Sequence, residues 1–486
     1  MIRSIYIFLF ALLVSCNKSQ IKDSGEDLPN ILFFFADDFT FDAIHALGND
    51  IIETPNLDRM VLNGTHFNQA FNMGGWNGAI CVASRAMIIT GKTIWSAKII
   101  SDQWGKHKNM EAIQESWGKL MEKKGYQTYM TGKWHVSIDA NQIFQTVKNI
   151  RPGMPKDFFK QEDQKGYDRP KLGEVDTWKA YDSLNGGFWE GGKHWSEVVK
   201  DDALDFLKQA TQKKAPFFMY LAFNAPHDPR QSPQAFLDRY HIDSIQLPKN
   251  WLSEYPYKDA IGNPKTLRDE ALAPFPRTPF AIRTHIKEYY AIISHLDEQI
   301  GKILNALEDS GKANNTYIFF TSDHGLSVGK HGLLGKQSMF DHSVRVPLIL
   351  TGPDIPKNKS IDREVYLQDI MATSLELGDI SPPESIDFKS FLSLAKGKDK
   401  TPIHPEGIYA AYMDYQRMIR KDGYKLIVYP KIKKILLFDL KNDPFEMNDI
   451  SQKNEYKDVV KSLFENLILL QKKHRDNLDL SDILTL

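Results

Sequence analysis

Five continuous apolar runs constrain the fold of this chain more than any other feature, because nearly all of them end in polar or charged residues. The runs are NILFFFADD (30–38), YQTYMTGKWH (126–135), APFFMYLAFNAPHD (215–228), NNTYIFFTSDHG (314–325) and VPLILTGP (346–353). Apolar residues at successive positions suit strands buried on both faces, as in a parallel sheet covered by helices.

Helical patterns separate these runs. TPNLDRMVLNG offers Thr54 as an N-cap, Pro55 in the first turn and Gly64 as a stop. DDALDFLKQATQKK precedes the third run, and IKEYYAIISHLDEQIGKILNALEDSG places one apolar stripe on a helix: Ile292, Leu296, Ile300, Leu304 and Leu307. Alternating strands and helices predict a doubly wound α/β fold.

The pattern changes from about Ala372. DISPPESID is typical of a loop, and GIYAAYMDY, RMIRKDGYKLIVYP and KILLFDLKNDPFE predict hairpin-linked strands. A helix is expected over 455–474. We therefore expect a catalytic domain over 29–371 and a smaller antiparallel α+β subdomain over 372–486.

The first residues indicate export. A positive start is followed by the apolar stretch IYIFLFALLV (5–14), which is too short to span a bilayer. LVSC resembles the lipobox of bacterial lipoproteins, in which the cysteine, here Cys16, is lipidated. This predicts a signal peptide over 1–15, a flexible tether over 16–28, and a lipoprotein held to the membrane by its lipid anchor only, in the periplasm, outer membrane or cell surface. The alternative is a plain secretory signal.

The net charge argues against one class of protein, and the cysteine content argues against an internal disulfide. The net charge of -1, without a basic stripe, argues against a nucleic-acid binder. The chain has 2 cysteines, and Cys16 lies in the leader. Cys81 therefore has no internal partner for a disulfide, although an exported chain could form one.

Chemically active residues follow four of the apolar runs. These residues are Asp37 and Asp38, Lys133 and His135, His227, and Asp323 and His324. Ligands of open α/β sheets bind at the carboxyl ends of the strands. The sequence thus predicts one site at that edge of the sheet.

Cys81 lies in the segment AICVASRAMIITGK (79–92), close before Arg85. A helix beginning here would favour a bound anion at its N-terminus, and a guanidinium would do the same. A lone cysteine is nevertheless usually a small buried hydrophobic residue. The residue types alone leave both interpretations open.

The segment CVASRAMIITGK is similar to the signature of type I sulfatases in the alkaline phosphatase superfamily, Cys-x-Pro/Ala-Ser-Arg followed by Thr-Gly. The resemblance extends from Asn30 to about Asn448, with the family's motifs in order. It implies a large, mostly parallel mixed sheet flanked by helices. It also implies that a maturation enzyme oxidises Cys81 to formylglycine, whose hydrate is the nucleophile. Ala83 replaces the proline of many members, and members with alanine resemble those matured by the anaerobic radical enzyme.

The resemblance further implies a ligand set for one metal ion: Asp37, Asp38, Asp323, His324 and the modified Cys81. Oxygen-rich ligands suit Ca²⁺, and Mg²⁺ is the second choice because it demands stricter octahedral geometry. A pair of aspartates at a strand end is otherwise more often a turn or a helix cap.

Three cations and two histidines complete the implied site. Arg85, Lys133 (in GKWH) and Lys336 (in LGKQSMFDHSVRVPLI) would surround the anion. His135 would orient or deprotonate the hydrate, and His227 (in NAPHD) would protonate the leaving oxygen. The ordinary alternatives are solvated surface lysines and structural histidines.

The sequence therefore predicts a hydrolase that removes sulfate from a saccharide such as ulvan, carrageenan or a glycosaminoglycan. Contacts to the sugar could come from aromatic and charged side chains, namely Trp76, Trp104, His107, Trp134, Asp228, Arg230, Arg283 and His331. Two alternatives stay open. One is a phosphoester or phosphonate hydrolase of the same superfamily, and the other is an inactive glycan-binding lipoprotein.

Overall fold

The computed structural model describes residues 28–151, 166–184 and 192–484. The expected signal peptide (1–15) and nearly all of the expected tether (16–28) lie outside the described residues. Within the described ranges, no helix combines the length and apolar character that a membrane crossing requires.

The regular elements alternate along the chain as the sequence predicts. The strands are β1 Asn30–Ala36, β2 Thr65–Phe67, β3 Ala70–Phe71, β4 Gly74–Gly75, β5 Gln127–Lys133, β6 Thr146–Arg151, β7 Phe217–Ala222, β8 Thr316–Ser322, β9 Arg345–Val346, β10 Leu348–Thr351, β11 Lys359–Ile361, β12 Val365–Tyr366, β13 Ile408–Tyr412, β14 Gln416–Lys421, β15 Tyr424–Tyr429 and β16 Lys434–Asp439. The α-helices are α1 Pro55–Asn63, α2 Ile80–Thr90, α3 Ile94–Trp104, α4 Trp117–Lys123, α5 Trp195–Thr211, α6 Gln234–Leu237, α7 Pro279–Asp309, α8 Asp341–Val344, α9 Asp369–Leu377, α10 Leu392–Ala395 and α11 Lys457–Lys473.

The main sheet has 8 strands in the order β11-β2-β10-β8-β1-β7-β5-β6. All five apolar runs become strands of this sheet. β1 lies parallel to both β7 and β8, whereas β10 lies antiparallel to β8 and β2. The predicted fold, a large and mostly parallel mixed sheet flanked by helices, is confirmed.

The central strand β1 is continuous in apolar character because both of its faces are covered. Leu32 and Phe34 enter one apolar cluster, whereas Phe33 and Phe35 enter another on the opposite face. The predicted stripe of α7 packs into the first of these clusters. Burying one such side chain contributes about 1.5–3 kcal/mol, so the two clusters fix the position of the sheet edge where β1 ends.

A second sheet lies toward the C-terminus, in the order β16-β15-β14-β13-β4. Strands β13 to β16 pair antiparallel as hairpins, and α11 contributes Leu463, Phe464 and Leu467 to the same apolar cluster. The smaller C-terminal sheet subdomain is therefore present. The division at residue 372 stays a prediction; Ala372 itself lies inside α9.

Strand β4 ties the N-terminal part of the chain to this second sheet. Gly74 pairs with Ala411 of β13, in parallel. Its φ is +86°, and a Cβ at this position would lie 2.0 Å from the Ala411 carbonyl oxygen. Only glycine fits this close approach, which holds the chain six residues before α2 begins at Ile80.

We expect Gly74→Ala to lower the free energy of unfolding by about 3 kcal/mol or more, because a positive φ and a steric clash add together. Gly423 in the β14–β15 turn is a matched control, since its φ is +82° and nothing lies within 4 Å of a Cβ there. Gly423→Ala should cost only about 1 kcal/mol. Urea unfolding of both variants measures the difference, and equal losses would contradict the close approach.

Candidate active site

Two pairs of polar residues meet at the carboxyl edge of the main sheet because β1 and β8 are neighbours in register. Ala36 lies opposite Ser322, so Asp37 and Asp38 follow β1 at the level where Asp323 follows β8. The backbone N–H of Asp38 donates to Asp323 Oδ1 at 3.2 Å. All of these carboxylates are fully buried.

Cys81 reaches the same point from the first turn of α2. Its Sγ lies 3.4 Å from His324 Nε2 and 4.0 Å from Asp38 Oδ1. Lys336 Nζ approaches the sulfur to 3.3 Å. The thiol, 243 residues away from His324 along the chain, is buried among polar groups.

The structure brings together every residue of the expected metal-ligand set. One atom each from Asp37, Asp38, Cys81, Asp323 and His324 lies within 4.8 Å of the others. Asp37 Oδ1 is buried and has no hydrogen-bond partner, so it is available to a cation. Three carboxylates and one imidazole fit a hard divalent ion.

Two expected cations lie against these carboxylates. Arg85 Nε donates to Asp323 Oδ2 at 3.0 Å, and its Nη1 donates to the Lys133 carbonyl oxygen at 2.8 Å. The ammonium of Lys133 donates to Asp37. The guanidinium also lies over the ring of Phe35, 4.7 Å from the centroid. Arg85 and Lys133 thus orient the aspartates from the side of the main sheet.

Lys336 comes from the long segment between β8 and α8. Its Nζ donates to Asp38 Oδ1 at 2.8 Å and lies 3.1 Å from His227 Nε2. Glu270, fully buried, accepts from the N–H groups of Leu334 and Gly335 and so fixes this segment. Lys336 is therefore a buried lysine whose ammonium is fixed by hydrogen bonds, and not a solvated surface lysine.

Burial and neighbouring charge set the protonation of these groups. Burial raises the pKa of Asp38 well above its ordinary value, more than Lys336 and His324 lower it. Burial alone would raise the pKa of Asp323, but His324 and Arg85 hold it below its ordinary value. Burial alone would lower the pKa of His324, whereas Asp323 and Asp38 raise it to about 9. Asp37 and Asp323 are therefore kept ionised by their cationic neighbours, whereas burial favours the neutral form of Asp38.

His227 lies at the solvent side of Lys336. Its Nδ1 donates to the Asp228 carbonyl oxygen at 2.7 Å, so Nε2 is an acceptor. That nitrogen lies 3.1 Å from Lys336 Nζ and 3.4 Å from Arg268 Nη2. Burial, followed by the charge of Lys336, lowers the pKa of His227 well below its ordinary value.

His135 differs from the other predicted residues. It has a positive φ of 55° after β5, and its Nδ1 is buried without a hydrogen-bond partner. Burial, then Lys133 and Arg85, lower its pKa to about 3, so the imidazole is neutral. Among the described residues, no hydrogen bond or ion pair joins His135 to Cys81 or to the carboxylates, although the charge of Asp37 acts on its pKa.

Several residues of the site carried no recognisable sequence signal. Asn72 donates to the Asp323 carbonyl oxygen and accepts from the Gly74 N–H. Gln337 donates to Gly78 and to Asp269, which in turn holds Arg268. Each lies in a stretch of ordinary polar composition, so only the folded arrangement identifies it.

Three of the expected sugar contacts are buried in the interior instead. Trp104 and Trp134 are buried in the apolar cluster on one face of the main sheet, and the Trp134 ring packs against Phe144 and Tyr220. His331 stacks on Phe340 at 3.9 Å and belongs to the interior as well. Both tryptophans follow the local apolar pattern of strand and helix, which a search for aromatic residues overlooks.

Comparison with known proteins agrees with this geometry. Residues 29–380 match the sulfatase family model, and residues 329–473 match the model for the C-terminal part of N-sulphoglucosamine sulphohydrolase. The chain belongs to the sulfatase family.

The similarity to known sulfatases covers nearly the whole length of this chain. It is 27% identical to an N-acetylglucosamine-6-O-sulfatase of Bacteroides thetaiotaomicron, covering 96% of this chain and 90% of the relative. It is 29% identical to an arylsulfatase of Clostridium perfringens, covering 90% and 94%. A solved structure of a protein in complex with its substrate, D-glucosamine-2-N,6-O-disulfate, is similar with a TM-score of 0.73 and 25% identity, covering 92% and 98%. The chain is accordingly an enzyme that hydrolyses sulfate esters.

Removing the Asn72 side chain tests its role in the sulfatase site. Asn72→Ala leaves the buried Asp323 carbonyl oxygen and the Gly74 N–H unpaired, at about 1–3 kcal/mol each. We expect the free energy of unfolding to fall by about 2–4 kcal/mol, together with a loss of activity.

Asn466→Ala is the control, because Asn466 is half-buried and its side chain bonds to Ser462 of its own helix and to Lys421, neither of which belongs to the site. Chemical unfolding and turnover of an aryl sulfate give the two measurements. If Asn72→Ala and Asn466→Ala gave the same stability and the same turnover, the hydrogen bonds of Asn72 to Asp323 and Gly74 would contribute neither to folding nor to activity.

Proposed function

We propose that this sulfatase removes sulfate from a carbohydrate, using a formylglycine made from Cys81 and one bound Ca²⁺. The observation that carries the proposal is the convergence on Cys81 Sγ of Asp38, His324 and Lys336, all within 4.0 Å. Such a set fits an anionic substrate and a hard cation together.

The ligands of the ion would be Asp37, Asp38, Asp323 and His324, with residue 81. When bound, the cation would supply charge to a sulfate oxygen, and the hydrated formylglycine would supply the attacking hydroxyl. Arg85 and Lys133 keep the carboxylates in place through their hydrogen bonds. The oxygen-rich donor set supports Ca²⁺ ahead of Mg²⁺.

Lys336 and His227 act on the substrate in this proposal. Lys336 Nζ lies between Cys81 Sγ and His227 Nε2, so an anion entering this space meets its charge. The same anion raises the proton affinity of His227, which is neutral beforehand. His227 would then give a proton to the leaving sugar oxygen.

A saccharide is the proposed substrate because two of the relatives named above are an N-acetylglucosamine-6-O-sulfatase and a protein solved with its substrate D-glucosamine-2-N,6-O-disulfate. Glycosaminoglycan, carrageenan and ulvan fragments all offer such esters. The lipobox-like LVSC before residue 17 supports export and anchoring at Cys16. A lipid-anchored sulfatase would meet glycans outside the cytoplasm.

The experiment is to produce the full chain with the anaerobic maturation enzyme and to measure free sulfate from defined sulfated oligosaccharides. We expect the Cys81 peptide to lose its thiol mass, and sulfate release to disappear in Cys81→Ala. Chelation should remove the activity and Ca²⁺ should restore it.

A thiol mass at Cys81 in active enzyme would refute the formylglycine. Release of the free phosphonate and an alcohol from a phosphonate monoester, without release of sulfate from any saccharide, would favour the alternative hydrolase. No binding of Ca²⁺ by the active enzyme would refute the choice of ion.

His227→Ala tests the proton donor. Turnover of a saccharide sulfate should fall by about 10²–10⁴-fold, because an alkoxide leaves poorly without a proton. Turnover of nitrophenyl sulfate should fall much less, because the phenolate needs less help. Steady-state kinetics on both substrates checks this, and equal losses would assign His227 another role.

A further inference from the structure

A line of polar side chains runs from Cys81 to the surface of the molecule. Lys336 Nζ lies 3.3 Å from Cys81 Sγ and 3.1 Å from His227 Nε2. Arg268 Nη2 lies 3.4 Å from the same His227 nitrogen. The side chains of Lys336 and His227 are 2% and 4% exposed, whereas that of Arg268 is 25% exposed. Arg268 is the outermost member of this line.

The guanidinium of Arg268 is fixed with the rest of the site. Its Nε donates to Asp269 Oδ1 at 2.7 Å, and Asp228 Oδ1 lies 3.7 Å from its Nη2. Asp269 Oδ2 accepts from Gln337 Nε2 at 2.7 Å. Because Gln337 directly follows Lys336, Arg268 and Lys336 are held at a constant separation. Nη1 of Arg268 has no hydrogen-bond partner among the described residues.

The direction of this line determines where the ester oxygen lies. The sulfur atom of the sulfate ester has to approach residue 81, which is buried, while the sugar of the same ester has to reach solvent. The bridging oxygen between them therefore lies on the solvent side of the sulfur. The side chains at that end are His227 and Arg268.

We propose that Arg268 is a further catalytic residue, which donates a hydrogen bond to the ester oxygen that leaves with the sugar. In the reaction the S–O bond to the sugar breaks and the sulfuryl group passes to the nucleophile. The electron pair of that bond goes to the sugar oxygen, and His227 supplies its proton. The N–H groups on Nη1 of Arg268 donate to that oxygen and stabilise the negative charge that develops on it while the bond breaks. This inference rests on the proposed sulfatase mechanism.

Recognition of an acidic group on the sugar would be a different role for Arg268. Asp269 and Asp228 already lie against the guanidinium, so its charge is balanced before any substrate binds. Because the charge of the guanidinium is already compensated and only its Nη1 lacks a hydrogen-bond partner, Arg268 suits an ester oxygen better than a further anionic group.

The test compares Arg268→Gln with wild type in the formylglycine-containing full chain, over aryl sulfates of increasing phenol pKa and one saccharide sulfate. We expect kcat to fall by about 10²-fold on the saccharide sulfate and only a few-fold on the most acidic phenol. The slope of log kcat against leaving-group pKa thus becomes steeper. Inhibition by inorganic sulfate, which has no leaving sugar, should change less than about twofold. Arg268→Lys should restore part of the rate.

Lys265→Gln is the matched control, since it removes one positive charge three residues earlier. Lys265 is exposed, lies over the ring of Phe275 and makes no ion pair among the described residues. Its leaving-group slope should equal that of wild type. Unfolding midpoints of both variants verify the fold, and Arg268→Lys provides the slope if Arg268→Gln does not fold.

Three outcomes would overturn the inference. A uniform loss over all leaving groups, or weaker inhibition by sulfate, would place Arg268 at the sulfate group. A loss that depends on a carboxylate in the sugar would make it a recognition residue. A wild-type enzyme that releases no sulfate from any substrate would instead refute the proposed function, so the two failures are distinguishable.

Discussion

The burial of three carboxylates at one end of a parallel strand pair is the constraint on which the rest of this structure depends. Asp37, Asp38 and Asp323 are fully buried, and charges so placed are costly unless they are paired or bind a cation. Arg85 and Lys133 compensate them from one side, and Lys336 does so from another. The groups that offset the cost of these buried charges are therefore the same groups to which the proposed mechanism assigns binding of an anionic substrate.

The C-terminal part of the chain contributes to the site through position and not through chemistry. Strand β4 pairs with β13 and holds the segment that leads to Cys81. The buried ammonium of Lys425 in β15 pairs with Asp341, in the helix that follows the Lys336 segment. Gln416 of β14 donates to the Gln337 carbonyl oxygen at 2.8 Å. The smaller sheet thus fixes both the segment that leads to Cys81 and the segment that carries Lys336.

The local sequence pattern was sufficient to predict the strands and helices and most residues of the candidate site. The five apolar runs became strands of one sheet, and the stripe of α7 is buried as its spacing indicated. The expected ligand set and its three cations meet, and each of these residues belongs to a motif with recognisable neighbours. Trp104 and Trp134 were wrong as sugar contacts, because an aromatic residue suits an apolar core as well as a sugar ring.

The sequence by itself determined the class of fold, the family and most residues of the candidate site, since apolar periodicity and short motifs are local properties of the chain. Only the tertiary structure decided that Asn72, Arg268, Asp269 and Gln337 belong to the site. Their hydrogen bonds join segments separated by up to 259 residues, as between Gln337 and Gly78. No local pattern encodes such a contact, because it exists only after the sheet register and the long connections have brought those segments together.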